Sequence, residues 1–320
     1  MYGVAKKIIA TPFIMIYNIR KGSGYMSQFF QYLLNGLSTG SIYALVALGY
    51  TMVYGIIKLI NFAHGDIIMV GAFVALGSTN ILLSIGLPPA LCVIITMVAT
   101  GALGFFTEKL AYKPLRKAKR ITALITAIAI SFLLENLFAI IYSNRDKQSP
   151  TIIDFGSITI GGVAIQWKFI IIILLLVVAT TALTLFVNKT RSGKAMKAVS
   201  ENPDTASLMG INVDATISTT FVIGAALAGL ASVMYVIYYP GFNNMLGSGL
   251  GIKAFVAAVL GGIGLIPGAV LGGLIIGVIE NMCIAYIGSK WVDVITFSIL
   301  IFILLVKPSG ILGKNTKEKV

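Results

Sequence analysis

The chain has 320 residues, and its composition is that of a membrane protein. Hydrophobic residues make up 58% of it, charged residues only 11%, and the mean hydropathy is +0.96. In soluble globular domains about 25% of all residues are charged, so a soluble globular protein is excluded. The net charge of +13 would indicate a nucleic-acid partner in a soluble protein, but here the basic residues flank apolar runs, as in a membrane protein.

The first 25 residues form a separate N-terminal extension. Two lysines, an apolar stretch of residues 8–19 broken by Pro12, and a second basic pair have the outline of a signal peptide. The apolar stretch is short, however, and no small-residue cleavage site follows it. Three interpretations stay open: translation that starts at Met26, a cytosolic or interfacial arm, and a signal sequence.

Long runs without charge predict transmembrane helices along the rest of the chain. Residues 22–57, 67–107, 169–188, 215–252 and 254–279 contain no Asp, Glu, Lys or Arg. A single crossing needs about 20 apolar residues. We therefore predict an all-α fold, a polytopic transmembrane helical bundle with eight to ten crossings that include interrupted or re-entrant helices.

The basic clusters predict the orientation of this bundle. One cluster lies at residues 109–120 and another at 189–197, and the predicted spans 121–142 and 168–188 separate them. Two crossings return the chain to the same side, which the positive-inside rule assigns to the cytoplasm. We expect the basic tail, residues 314–320, on that side too.

Two segments break the pattern of simple crossings. Residues 252–286 must cross twice with only 35 residues, and a Gly- and Pro-rich stretch at 261–268 interrupts them. The run 22–57 is too long for one crossing, and a polar patch at 58–66 follows it. We interpret residues 240–251 as an external loop. One interrupted segment in each half of the chain is typical of a transport site between repeats.

These breaks and the isolated charges supply candidates for the translocation pathway, because polar groups inside a membrane are costly. Structural alternatives stay open: a capped cytosolic turn at His64, carboxylates paired at helix interfaces, and glycines that only pack helices. One His and two Cys in apolar surroundings predict no metal site and no cofactor. The pathway candidates are Asn61, His64, Asp66, Glu135, Gly261, Gly262, Gly264, Pro267 and Glu280.

The loop at 188–213 predicts a short helix with marked ends. Asn202 suits the N-cap, Pro203 the first helical position, Asp204 the first turn, and Gly210 the left-handed terminator. Such a helix exposes Leu208 and the methionine after it. It either lies flat on the membrane or docks on a cytosolic partner. No Gly-Lys pair in the chain has the spacing of a phosphate-binding loop.

Several stretches together resemble the branched-chain amino-acid ABC-transporter permease family, LivH type. They lie within residues 28–313, whereas the extension before Met26 departs from the family pattern. The matching stretches are residues 35–45, 61–66, 193–199, 208–213, 253–264, 267–269 and 308–310.

This resemblance implies the assembly and the energy source. The permease domain, residues 26–313, would pair with a second homologous permease, two cytosolic ABC ATPase subunits and an extracytoplasmic substrate-binding protein in the bacterial cytoplasmic membrane. The chain would not be an enzyme and would have no catalytic residues, because its partners hydrolyse ATP. The loop at about 189–214 would couple to the ATPases through Gly193, Lys194, Glu201, Asn202, Pro203, Asp204, Ala206, Leu208, Met209 and Gly210.

The solute implied by the resemblance is a branched-chain amino acid or a related small amino acid or amide. A competing hypothesis is a secondary transporter or channel that uses an ion gradient. It would depend on the intramembrane groups Glu135, Glu280, His64 and Asp66.

Overall fold

A computed structural model describes residues 24–116, 118–152 and 156–313. The proposed N-terminal extension lies almost entirely outside these residues, and the basic tail at 314–320 lies outside them completely. Two interpretations of the sequence, the start at Met26 and the side on which the tail lies, therefore stay predictions.

The described residues form eleven α-helices and two small antiparallel sheets. The helices are α1 (Gly24–Ile57), α2 (His64–Ser84), α3 (Cys92–Thr107), α4 (Arg120–Tyr142), α5 (Trp167–Lys189), α6 (Arg191–Glu201), α7 (Pro203–Leu208), α8 (Val213–Tyr238), α9 (Leu246–Gly261), α10 (Ile266–Tyr286) and α11 (Val292–Val306). The strands are β1 (Lys147–Gln148), paired with β4 (Gly241–Phe242), and β2 (Ser157–Ile160), paired with β3 (Val163–Gln166). A π-helical turn at Glu108–Tyr112 extends α3.

Eight of the described helical segments are long and apolar enough to cross a membrane. They contain α1–α5, α8, α10 and α11. The apolar helix α9 is shorter, with 16 residues. The predicted polytopic helical bundle is therefore confirmed.

The interruptions lie at slightly different places from those predicted. The run 22–57 contains one unbroken helix, α1, and the break follows it at residues 58–63. The predicted external loop at 240–251 is wrong for its last six residues, because α9 already begins at Leu246. In the second segment, a short helix and a full-length helix flank the Gly-rich turn.

Contacts between helix ends place the basic clusters on one face, where Arg191 lines the same hollow as Asn212 and Ala215 at the start of α8. Lys113 Nζ, just after the π-helical turn, lies 2.8 Å from a carboxylate oxygen of Asp214 at the start of α8. On the opposite face, the backbone N–H of Ala164 in β3 donates to Gln31 near the start of α1, at 2.8 Å. The positive-inside rule assigns the basic face to the cytoplasm, so the described part of α1 begins at the outer face.

The core of the bundle is built on the contact between α1 and α10. A Cβ atom placed on Gly277 would lie 2.2 Å from the Cα of Gly40, and one on Gly36 would lie 2.7 Å from the Cα of Val278. Helices in lipid gain little from the hydrophobic effect, and small residues let their backbones pack closely. The glycine faces on these two helices therefore set how near the helices can come.

We expect Gly277→Ala to lower the stability of the protein, because the added methyl group would overlap α1. Overpacking of this kind costs about 1–3 kcal/mol. Gly77→Ala is the matched control, since a Cβ there would meet nothing within 4 Å. The measurement is the free energy of unfolding in detergent, and equal values for the two variants would contradict the prediction.

Candidate functional site

The structure shows the predicted signals at both ends of α7, and α6 has a cap that was not predicted. The N–H of Gly193 donates to the Thr190 side chain at 3.0 Å, which caps α6, and the N–H of Thr205 donates to the Asn202 side chain at 3.0 Å, which caps α7. Pro203 lies in the first turn of α7. Gly210 has a φ of +81°, the left-handed conformation that favours glycine at a helix end.

The predicted coupling residues divide into an inward set and an outward set. Gly193 and Ala206 are buried, whereas Lys194, Glu201, Asn202, Pro203, Asp204, Leu208, Met209 and Gly210 are exposed. Leu208 is 89% exposed and Met209 is 79% exposed. We call residues 208–210 the α7 tip. It presents two adjacent apolar side chains to solvent on the basic face.

An ionic cluster that sequence reasoning missed lies beside these helices. The Glu108 side chain has no exposed surface, pairs with Arg116 and accepts a hydrogen bond from Ser218 at 2.6 Å. Arg116 also pairs with Asp214. The cluster joins the end of α3 to the first turns of α8. Glu108 could have been recognised as a candidate from the sequence, because this carboxylate ends the charge-free run 67–107.

Three of the pathway candidates lie together where α2 begins, inside the bundle. A Cβ on Gly49 of α1 would lie 2.3 Å from Nε2 of His64 and 3.0 Å from the carbonyl oxygen of Gly224. Gly224 is 11 residues into α8, which is about 16 Å from its cytoplasmic end. Asn61 accepts a hydrogen bond from the Tyr112 hydroxyl at 2.9 Å. Irregular backbone at this depth is surrounded by protein, as it must be in a membrane.

Asp66 links this region to α4. One of its carboxylate oxygens accepts a hydrogen bond from Ser131, and Glu135 lies one turn further along the same face of α4. The other carboxylate oxygen of Asp66 and Nε2 of His64 are buried without a hydrogen-bond partner among the described residues. The structure therefore brings Asn61, His64, Asp66 and Glu135 into one region at mid-depth.

The glycine and proline candidates lie elsewhere, in the turn between α9 and α10. Gly262 and Gly264 have φ values of +109° and +95°, and Pro267 is in the first turn of α10. This turn lies against the end of the chain, where the N–H of Ile311 donates to the carbonyl of Leu260 at 2.8 Å. Gly261 packs so closely that a Cβ there would overlap the carbonyl of Gly268.

Glu280 lies well apart from this turn, on the opposite half of α10. It accepts a hydrogen bond from the Tyr43 hydroxyl at 2.5 Å and pairs with Lys253 of α9 at 2.7 Å. Lys253 Nζ also lies 3.5 Å from Asp293 at the start of α11. Sequence reasoning missed Lys253 as a site residue, although it is the one charge that separates two long apolar runs.

These charges line a cavity of about 560 Å³, which we call the outer pocket. Asn243 and Met245, in the turn between β4 and α9, contribute to its rim, so it opens toward the outer face. The full lining is Tyr43, Tyr235, Tyr239, Asn243, Met245, Leu246, Gly249, Leu250, Ile252, Lys253, Glu280, Asp293 and Phe297. Among the described residues, no group of three or more His, Cys, Asp or Glu side chains could hold a metal ion.

We expect Arg116→Met to destabilise the protein strongly, because Glu108 would remain buried without its partner. Removing one member of a buried ion pair costs about 3–5 kcal/mol. The double variant Arg116→Met with Glu108→Gln removes the uncompensated charge and should recover most of that loss. The free energy of unfolding in detergent measures both, and a single variant as stable as the wild type would contradict the prediction.

The comparisons with known proteins agree on one family. Residues 32–304 match the family described as branched-chain amino acid transport system, permease component. The chain is 42% identical to the high-affinity branched-chain amino acid transport system permease protein BraD of Pseudomonas aeruginosa over 92% of its own length and 98% of the relative's. It is also 42% identical to LivH of Escherichia coli, over 91% of its own length and 98% of the relative's.

Among solved structures, the chain is similar to an inward-facing metal-chelate type ABC transporter, with a TM-score of 0.46 and 17% identity over 94% of this chain and 97% of that one. The family match and the identities to BraD and LivH cover nearly the whole described chain. Together with the eight membrane-spanning helices, they identify a multi-pass protein of the cytoplasmic membrane. The chain belongs to the family of branched-chain amino acid transport system permease components.

Proposed function

We propose that this permease imports branched-chain amino acids and is driven by two cytosolic ATPase subunits that dock on the α7 tip. The observation that carries the proposal is the exposure of Leu208 and Met209 at the end of a helix capped at both ends. The relatives named above belong to high-affinity branched-chain amino acid transport systems. The chain's own Gly-Lys pairs lack the spacing of a phosphate-binding loop, so ATP that drives transport would be hydrolysed by a partner.

The α7 tip is suited to a groove on a folded partner. Exposed Leu and Met side chains offer apolar surface that a partner would bury. The preceding helix α6 adds positive charge to the same face through the exposed residues Arg191, Lys194 and Lys197. The capped helix presents these groups in a fixed geometry, which lowers the entropy lost on binding.

A continuous apolar cluster supports transmission from α7 to the membrane helices. Val199 of α6 and Ala206 of α7 are buried in the same cluster as Val53 of α1, Phe221 of α8 and Tyr112. Tyr112 also donates its hydroxyl to Asn61, three residues before α2 begins. A force on α7 would therefore reach α1, α2 and α8 as a rigid-body tilt.

The transport cycle follows from this coupling. A substrate-binding protein would deliver the amino acid at the outer face, where the outer pocket opens. A second, homologous permease would complete the pathway. Closure of the ATPase subunits on ATP would tilt the helices and alternate access between the two faces, around sites near mid-depth such as the region of His64 and Asp66.

We expect the double variant Leu208→Ala with Met209→Ala to reduce leucine uptake by more than about tenfold, because truncating the anchors of an interface costs about 2 kcal/mol or more. The measurement is uptake into proteoliposomes that contain both permeases, the ATPases and the binding protein. ATP hydrolysis in the same vesicles should no longer rise when loaded binding protein is added.

Leu110→Ala is the matched control, since Leu110 is an exposed apolar residue of the π-helical turn, 75% exposed, and lies outside the α7 tip. It should leave uptake unchanged. Normal uptake by the double variant would contradict the docking proposal. Uptake by vesicles that lack the ATPases would favour the gradient-driven alternative instead.

A further inference from the structure

We infer that the outer pocket is a binding subsite of the permease itself for the zwitterion of an α-amino acid. Glu280 would receive the ammonium group, Lys253 the carboxylate, and the apolar lining the side chain. The inference rests on the proposed function and deepens it, because it assigns a substrate site to this chain in addition to the one on the binding protein.

The charges in the outer pocket are of the kind that recognises a zwitterion. Lys253 is the ammonium group in the lining, and Glu280 and Asp293 are the two carboxylates. The side chain of Glu280 is only 10% exposed and that of Lys253 is 22% exposed, whereas that of Asp293 is 69% exposed at the rim. The excess of one carboxylate favours an incoming ammonium group.

Without a ligand, the charges satisfy one another. Lys253 lies 2.7 Å from Glu280 and 3.5 Å from Asp293, and the Tyr43 hydroxyl donates to Glu280 at 2.5 Å. A zwitterion that enters between Lys253 and Glu280 supplies each of them with a new partner of the opposite charge. No buried charge is left unpaired in either state, so the exchange avoids the large cost of an isolated charge. A ligand with only one charged group would leave one side chain of the pair uncompensated.

The rest of the lining suits a branched aliphatic side chain. Leu246, Leu250 and Phe297 supply apolar surface beside the charged pair. The volume of about 560 Å³ is within the range of small-molecule sites. The tyrosines of α1 and α8 add hydroxyl groups that can hydrogen-bond the carboxylate. The pocket therefore combines a polar clamp with an apolar wall.

The test measures binding to the permease–ATPase complex in lipid nanodiscs, without the binding protein. The probes are leucine, 4-methylpentanoate, which lacks the ammonium group, and 3-methylbutylamine, which lacks the carboxylate. Saturation-transfer NMR gives the apparent Kd of each. The variants are Glu280→Gln, Lys253→Gln and the conservative Glu280→Asp, with Lys290→Gln as a matched control, since Lys290 is an exposed lysine of the outer face outside the pocket lining.

We expect Glu280→Gln to weaken leucine binding about tenfold or more, since charge-assisted hydrogen bonds are the strong ones. It should not weaken the binding of 4-methylpentanoate but tighten it, because this ligand leaves the Glu280 carboxylate uncompensated in the wild type and not in the variant. Lys253→Gln should weaken leucine binding similarly. It should tighten the binding of 3-methylbutylamine, because this ligand leaves Lys253 uncompensated in the wild type and not in the variant. Glu280→Asp should recover part of the loss, and Lys290→Gln should match the wild type.

A purely structural ion pair would give a different pattern. Equal weakening of all three probes, or unchanged leucine binding in both glutamine variants, would overturn the inference. So would a wild-type complex that takes up leucine with its binding protein but shows no binding without it. If the complete wild-type system takes up no branched-chain amino acid at all, the proposed function fails, and this result is independent of the binding data.

Discussion

The close contact of α1 with α10 is the constraint on which the rest of the structure depends. Lipid gives two apolar helices little reason to associate, so the association rests on backbones that can approach because glycine faces glycine. Gly40 and Gly277 lie at this contact. Tyr43 and Glu280, each three residues after one of these glycines, meet through a hydrogen bond. The same approach that holds the bundle together therefore places a carboxylate beside the outer pocket.

The two breaks in the helices follow from this core. α9 packs against α10 through a tight glycine turn, and its other end lies beside the start of α2, where a Cβ on Gly247 would be 2.8 Å from the Cα of Asp66. The start of α2 is thereby held inside the protein. The Asn61 side chain, three residues before it, accepts a hydrogen bond from the Tyr112 hydroxyl. Protein rather than lipid satisfies the irregular backbone, as the membrane requires.

Much of this could be predicted from the sequence, because charge-free runs and basic clusters are local signals. The caps of α7 were predictable residue by residue, since Asn202 and Gly210 act within one helical turn. Pairings between segments that are distant in the chain were not, because no local pattern connects Lys253 with Glu280 or Arg116 with Asp214. The start of α9 was misjudged because Gly247, Gly249 and Gly251 have low helix propensity, whereas close packing on Gly65 favours a helix there.

Transport by the proposed mechanism requires that the α7 tip projects on the cytoplasmic side and contacts the ATPase. A membrane-impermeant thiol reagent tests it on Met209→Cys, with Asn243→Cys as the outer-face reference, because the native Cys92 and Cys283 are buried. We predict labelling of Met209→Cys in inside-out but not in right-side-out vesicles, and protection of this site when the ATPases are bound. Labelling from the outside, or equal labelling with and without the ATPases, would contradict docking of the α7 tip on a cytoplasmic ATPase.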